Sequence, residues 1–214
     1  MKSNLLLLQH RILEMVATGR GLAAAMDELC RGVEELVPDA ICSVLSVDKD
    51  CLQPIAGPTL PPEYIRALKG MPIGPKGGSC GTAAWRGEPV EVTDIRKDPL
   101  WADYRHLPLP DDIRACWSSP IKARDGAVVG TFAFYYRTNR GVSAAERKIV
   151  DACLHVCAIV MENARSDLEL RRLAFRDTVT GLMNRAAFHA AVQSAIAEAQ
   201  REDREIALHF IDLD

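Results

Sequence analysis

The chain has 214 residues, of which 48% are hydrophobic and 26% charged, and a formal net charge of -3. That is ordinary globular composition rather than disorder, and no segment gathers Lys and Arg into the basic stripe a nucleic-acid binder carries. The leucine run at Leu5 to Leu8 is far short of the ~20 apolar residues of a membrane span and lacks a small-residue cleavage site, so neither a membrane partner nor an export signal is expected.

In chain order, residues 5–19 and 22–36 read as amphipathic helices; in the second, Leu22, Ala25, Met26, Leu29, Val33 and Leu36 recur at helical spacing. "AICSVLSV" at 40–47 alternates and is rich in β-branched residues, which predicts a strand, with "CLQPIAG" as its hairpin partner. "PPEYIRALKG" carries Pro at its start and Gly at its end, the signals of a short helix. "GPKGGS" reads as a loop, "CGTAAWRG" as a second short helix and "PVEVTD" as a strand. A long proline-rich connection, "IRKDPLWADYRHLPLPDDI", leads to two more strands at 113–121 and 127–137, separated by a turn at "ARDG". Ser143 with Glu146 three residues on is a capping box, and the pattern that follows runs without Pro or Gly to about Arg176. This order suits an α+β fold in which helices cover one face of an antiparallel sheet.

The block from Gly74 to Ile121 resembles the GAF family of small-molecule sensory domains. The carriers are Gly-Ser-Cys-Gly-Thr-Ala-Ala at 78–84, "VTDI" followed by "DPLWADYR", and "RACWSSPI" before a Gly-turned hairpin. The resemblance covers roughly residues 20–162. It implies a PAS-like central antiparallel sheet flanked by helices, with a small-ligand pocket between the sheet and the connecting loops. The expected ligand-binding residues are Cys80, Trp101, Tyr104, Cys116 and Ser118, and the ligand itself is unknown.

The residues support that reading on their own terms. Long irregular connections inside compact domains are usually functional, and Trp101 and Tyr104 give such a lid large apolar area with one polar atom each; they could equally anchor the loop to the core. Cys80 opens a short helix whose dipole could lower a thiol pKa, although a buried inert cysteine is the commoner case. Cys116 and Trp117 alternate on a strand and face opposite ways, with Cys116 expected inward. Cys153 and Cys157 share a helix face, where packing is favoured over a metal pair because no His or further Cys completes a set. The seven cysteines contain no CxxC and read as reduced thiols of a cytoplasmic protein.

Free methionine sulfoxide reductases are enzymatic relatives of the GAF family and bear acids on the strand matching "GTFAFYY". Here those positions hold Ala133 and Tyr135, and Cys116 replaces an acid before "WSSPI", so reductase activity is not expected. Two rivals to ligand sensing remain: a ligand-free dimerisation module, and a thiol-based redox enzyme or sensor using Cys80 and Cys116.

In the long helix, Ile149, Cys153, Val156, Val160, Asn163, Asp167 and Leu170 follow a 4-3 alternation. An Asn at such a site can fix register in a parallel pair, so a parallel homodimer through this helix and residues 5–19 is expected. The last block, "LAFRDTVTGLMNRAAFHAAVQSAIAEAQREDREIALHFIDLD", resembles the first part of a GGDEF domain, the catalytic domain of diguanylate cyclases. Asp177, Thr180, Gly181, Leu182, Asn184, Arg185, Phe188 and "IDLD" carry it, with Val179 where leucine is usual. The resemblance implies a GTP substrate, Mg2+ as cofactor in the intact parent, and Asp212 as a metal ligand with Asp214 close behind. The expected organisation is an N-terminal helix at 1–19, a GAF sensory domain at 20–162, a connecting signalling helix at 163–176 and a truncated α/β GGDEF start at 177–214. A chain so truncated should make no cyclic di-GMP, and its last segment should be its least stable.

Overall fold

The computed structural model describes residues 2–209 and 211. Two helices open the chain, α1 at Lys2–Ala17 and α2 at Leu22–Leu36. A hairpin of β1 (Ala40–Asp48) and β2 (Cys51–Ala56) precedes α3 (Pro62–Ala67), β3 (Met71–Pro72), α4 (Gly78–Arg86) and β4 (Val90–Val92). A 3-10 turn at Pro99–Tyr104, the hairpin of β5 (Ala115–Lys122) and β6 (Val128–Tyr136), α5 (Ala144–Phe175) and α6 (Arg185–Glu202) follow. The strands form one sheet in the order β3-β2-β1-β6-β5-β4, and every pairing is antiparallel.

The chain divides into two compact units, Met1–Ala164 and Arg165–Asp214. The first holds the sheet, and both sheet faces are buried. On one face, Leu8 and Ile12 of α1, Met26, Leu29 and Val33 of α2, and Ile149, Cys153, Val156 and Val160 of α5 pack against Trp117, Phe132, Phe134 and Tyr136. On the other, α3, α4 and the 3-10 turn bring Tyr64, Cys80, Ala83 and Trp101 onto Ile41, Leu45, Cys116, Ala133 and Tyr135. The expectation of helices on one face is therefore corrected. Strand side chains alternate between faces, so Cys116 and Trp117 do point opposite ways, but each is buried in its own core.

Local signals placed the elements. Ser143 and Glu146 form the reciprocal cap at the start of α5: Ser143 N–H donates to Glu146 Oε2 at 2.7 Å, and Glu146 N–H to Ser143 Oγ at 3.2 Å. Arg140 joins them, donating to both Glu146 carboxylate oxygens at 2.7 and 3.0 Å while lying 3.8 Å over the Tyr136 ring. Burial alone would raise the Glu146 pKa, but the hydrogen bonds from Arg140 and Ser143 outweigh it and hold the carboxyl down at about 2. Gly130 lets β1 and β6 approach, because a Cβ there would sit 2.4 Å from Leu45 O.

In the second unit, Asp177 organises a turn. Its Oδ1 accepts from Val179 N–H, Thr180 N–H and Thr180 Oγ1, and Gly181 adopts φ +72. Asn184 caps α6, accepting from Ala187 N–H at 2.9 Å. The expected final strand is corrected in part: Ile206 to His209 and Ile211 carry no strand, because no described segment offers them a ladder partner. The expected ligand Asp212, with Asp214, lies outside the described residues.

Candidate functional site

The second sheet face is lined by small and polar residues in rows. Across β1, β6 and β5 the register sets Ile41, Tyr135 and Cys116 side by side, then Ser43, Ala133 and Ser118, then Leu45, Thr131 and Pro120. The short side chains of the middle row let α4 settle closely on the sheet. The helix enters through Gly78, whose φ of +62 favours glycine, and Ser79 and Cys80 follow in its first turn.

Ser79 Oγ accepts from the indole Nε1 of Trp101 at 2.9 Å and itself donates weakly to Cys116 O at 3.5 Å. One serine thus ties α4 to the connection above it and to β5 below. Trp101 both lines the site and anchors the loop. The 3-10 turn that carries it is capped by Asp98, which accepts from Leu100 N–H at 2.8 Å. Arg96 donates to Asp111 O at 2.8 Å, closing the connection onto itself.

Beneath Trp101 and Tyr104 lies a hollow of about 20 Å³, lined by Leu52, Tyr64, Gly77, Gly78, Cys80 and Tyr135 among others. A second hollow of about 110 Å³ sits within the connection and shares Trp101, Tyr104 and Leu107 with the first. The three shared side chains are the wall between the two spaces. No carboxylate lines the inner hollow. Ala133 and Tyr135 face the second core, and Tyr64 and Tyr135 stack edge to face with hydroxyls 3.4 Å apart.

The Cys80 sulfur is the polar centre of the site. Its thiol pKa is lowered to about 7, chiefly by the hydrogen bond from the Cys116 thiol; burial opposes this, and the hydroxyls of Ser118, Thr131 and Tyr135 add to it. The cost falls on its neighbours: burial pushes Cys116, Tyr135 and Tyr64 well above their ordinary values. Ser118 Oγ and Thr131 Oγ1 are buried without a hydrogen-bond partner on the same sheet face.

Of the five residues expected to bind ligand, Cys80, Trp101 and Tyr104 line the inner hollow, while Cys116 and Ser118 lie beside Cys80 on β5. Ser79, Tyr64, Thr131 and Tyr135 were missed. The period of two along β6 does place Thr131, Ala133 and Tyr135 on one face, but which face is the site depends on long-range pairing. Cys153 and Cys157 are core residues, their thiols raised by burial.

Residues 19–162 match the family described as GAF domain. Over 164 residues, 76% of its length, the chain is 30% identical to the Methyl sulfide methyltransferase-associated sensor of Methanosarcina acetivorans, but it spans only 16% of that relative. Among solved structures it is similar to the GAF domain of a phosphoenolpyruvate-protein phosphotransferase from Coxiella burnetii, with a TM-score of 0.63 at 18% identity, covering 78% of this chain and 98% of that one. It is also similar to the free methionine-R-sulfoxide reductase of Neisseria meningitidis, with a TM-score of 0.57 at 18% identity, covering 75% and 89%. At these identities the structural likenesses speak for the fold alone. The family match spans more than half of the residues, and the chain belongs to the GAF domain family.

Proposed function

We propose that this chain is the sensory module of a cytoplasmic cyclic di-GMP signalling protein. In this reading a small molecule or a redox change is received beneath the Trp101 connection, and α5 carries the response to a C-terminal diguanylate cyclase domain. The observation that carries it is the polar interior around Cys80. Two buried hydroxyls, Ser118 Oγ and Thr131 Oγ1, lack any hydrogen-bond partner. Unpaired buried polar groups cost stability and in a folded protein call for an explanation. A module that only holds effectors together gains nothing from them.

The size of the hollow argues the other way. At about 20 Å³ it is close to filled by side chains, which the ligand-free dimerisation reading expects. The shared wall reconciles the two: outward motion of Trp101 and Tyr104 would merge the inner space with the 110 Å³ hollow of the connection.

The cyclase part rests on the D-x-x-T-G-L-x-N-R spacing and on the Asp177 turn it builds. GTP and Mg2+ would belong to the complete cyclase domain, with Asp212 as one metal ligand. The described residues hold no group of three His, Cys, Asp or Glu side chains able to bind a metal, so no step is assigned to one here. No described helix is long and apolar enough to cross a membrane. A parallel homodimer would use the exposed Leu6, Leu7 and Leu13 of α1 and the exposed Leu170 of α5.

The test is the complete gene product incubated with GTP and Mg2+ under reducing conditions. Cyclic di-GMP should form, and Trp101→Ala and Ser118→Ala should change its rate several-fold. A product that makes no cyclic di-GMP, or a rate indifferent to both substitutions, contradicts the reading.

A further inference from the structure

We propose that Cys80 is a modification site for hydrogen peroxide and that Cys116 completes the reaction by forming a disulfide with it. This deepens the sensory reading by naming a stimulus.

Three independent features converge on the pair. Access is the first. Cys80 lines the inner hollow and is 7% exposed, whereas Cys116 behind it is 1% exposed. Cys30, Cys42, Cys153 and Cys157 are buried in the opposite core, where burial raises every thiol. Proton donors are the second. Ser118 Oγ and Thr131 Oγ1 are buried without a hydrogen-bond partner on the sheet face that Cys80 packs against, and with Tyr135 they help to lower the Cys80 thiol pKa. Donors aimed at a sulfur stabilise its thiolate, the reactive form. The third is a second thiol buried in the same core, Cys116, in a chain whose cysteines are all free. The contact of Ser79 Oγ with Cys116 O at 3.5 Å holds the first turn of α4, which carries Cys80, against the strand that carries Cys116.

The chemistry balances. The Cys80 thiolate attacks one peroxide oxygen, the O–O bond breaks, and hydroxide leaves and takes up the proton Cys80 gave up. Cys80 is then a sulfenic acid. The Cys116 sulfur attacks the Cys80 sulfur, the S–O bond breaks, and hydroxide leaves as water with the Cys116 proton. In sum, two thiols and one hydrogen peroxide give one disulfide and two waters.

The hollow also sets selectivity. Its 20 Å³ is little more than the roughly 10–15 Å³ one water needs, so hydrogen peroxide fits and a bulky organic hydroperoxide does not.

The experiment uses the reduced full chain treated with hydrogen peroxide or cumene hydroperoxide, followed by non-reducing peptide mapping and dimedone trapping. The expected result is a linked Cys80–Cys116 peptide with the loss of two hydrogens, formed at least about tenfold faster by hydrogen peroxide. In Cys116→Ser, dimedone added in denaturant after the peroxide is removed should label Cys80. In Cys80→Ser, and in Cys80→Ala as a second variant, Cys116 should stay reduced. Cys80 unoxidised in excess peroxide, oxidation confined to Cys51, or equal rates with the two peroxides would overturn the proposal. Because the cyclase assay is run under reductant and reads GTP turnover, failure here is distinct from failure of the sensory reading.

Discussion

Thr131 and Ser118 are small residues whose buried hydroxyls have no hydrogen-bond partner and help to lower the Cys80 thiol pKa. Thr131→Val and Ser118→Ala should therefore alter stability by no more than about 1 kcal/mol, since each removes a group with no ordinary partner. Each should raise the pH at which Cys80 ionises from its value near 7, read as thiolate absorbance against pH. An unmoved titration would separate these hydroxyls from the thiol. Glu146 gives a second residue-level prediction. Its folded pKa of about 2 lies below the ordinary 4.5, so it contributes stability above pH 4.5 that is lost as pH falls towards 2. Glu146→Gln should be less stable at neutral pH and should lack that share of the acid loss in denaturant titrations at stepped pH. At this scale the sequence exposed chemistry better than company. Cys80, Trp101 and Cys116 stood out by type and spacing, whereas Ser79, Thr131 and Tyr64 earn their roles only through neighbours 22 to 71 residues away or from other strands.

Helices and strands with strong periodicity or clear end signals were legible. The capping box placed the start of α5, and the alternation of β1 and the turn before β6 placed those strands within a residue or so. What escaped was the covering of the second face. The short helices α3 and α4, of 6 and 9 residues, were both expected, but nothing local says which face of the sheet they cover, and the 3-10 turn hides in a proline-rich stretch. The two-residue β3 exists only because β2 pairs with it. Gly130 shows how tightly the elements fit. Gly130→Ala would drive a Cβ against Leu45 O and the Met161 side chain, and overpacking of this kind costs about 1–3 kcal/mol. Chemical denaturation should show that loss; a neutral result would mean that β1 and β6 can part without penalty.

For the whole molecule, the sheet with both faces covered and the polar pocket under a loop define the first unit, and the Asp177 turn and α6 define the second. The proposed parallel dimer predicts that light scattering after size exclusion at micromolar concentration reports twice the chain mass, and that Leu170→Arg reports a folded monomer. The central claim is that events at the Cys80 hollow are felt by α5. It is tested most directly by amide hydrogen exchange before and after a methylthio group is attached to Cys80 with methyl methanethiosulfonate, using Cys80→Ser as the control. The added group cannot fit beside Trp101 in 20 Å³. The account predicts faster exchange across residues 94–113 and altered exchange across 144–163 in the labelled chain, with no change in the control. Altered exchange confined to α4, with 144–163 unchanged, would contradict it.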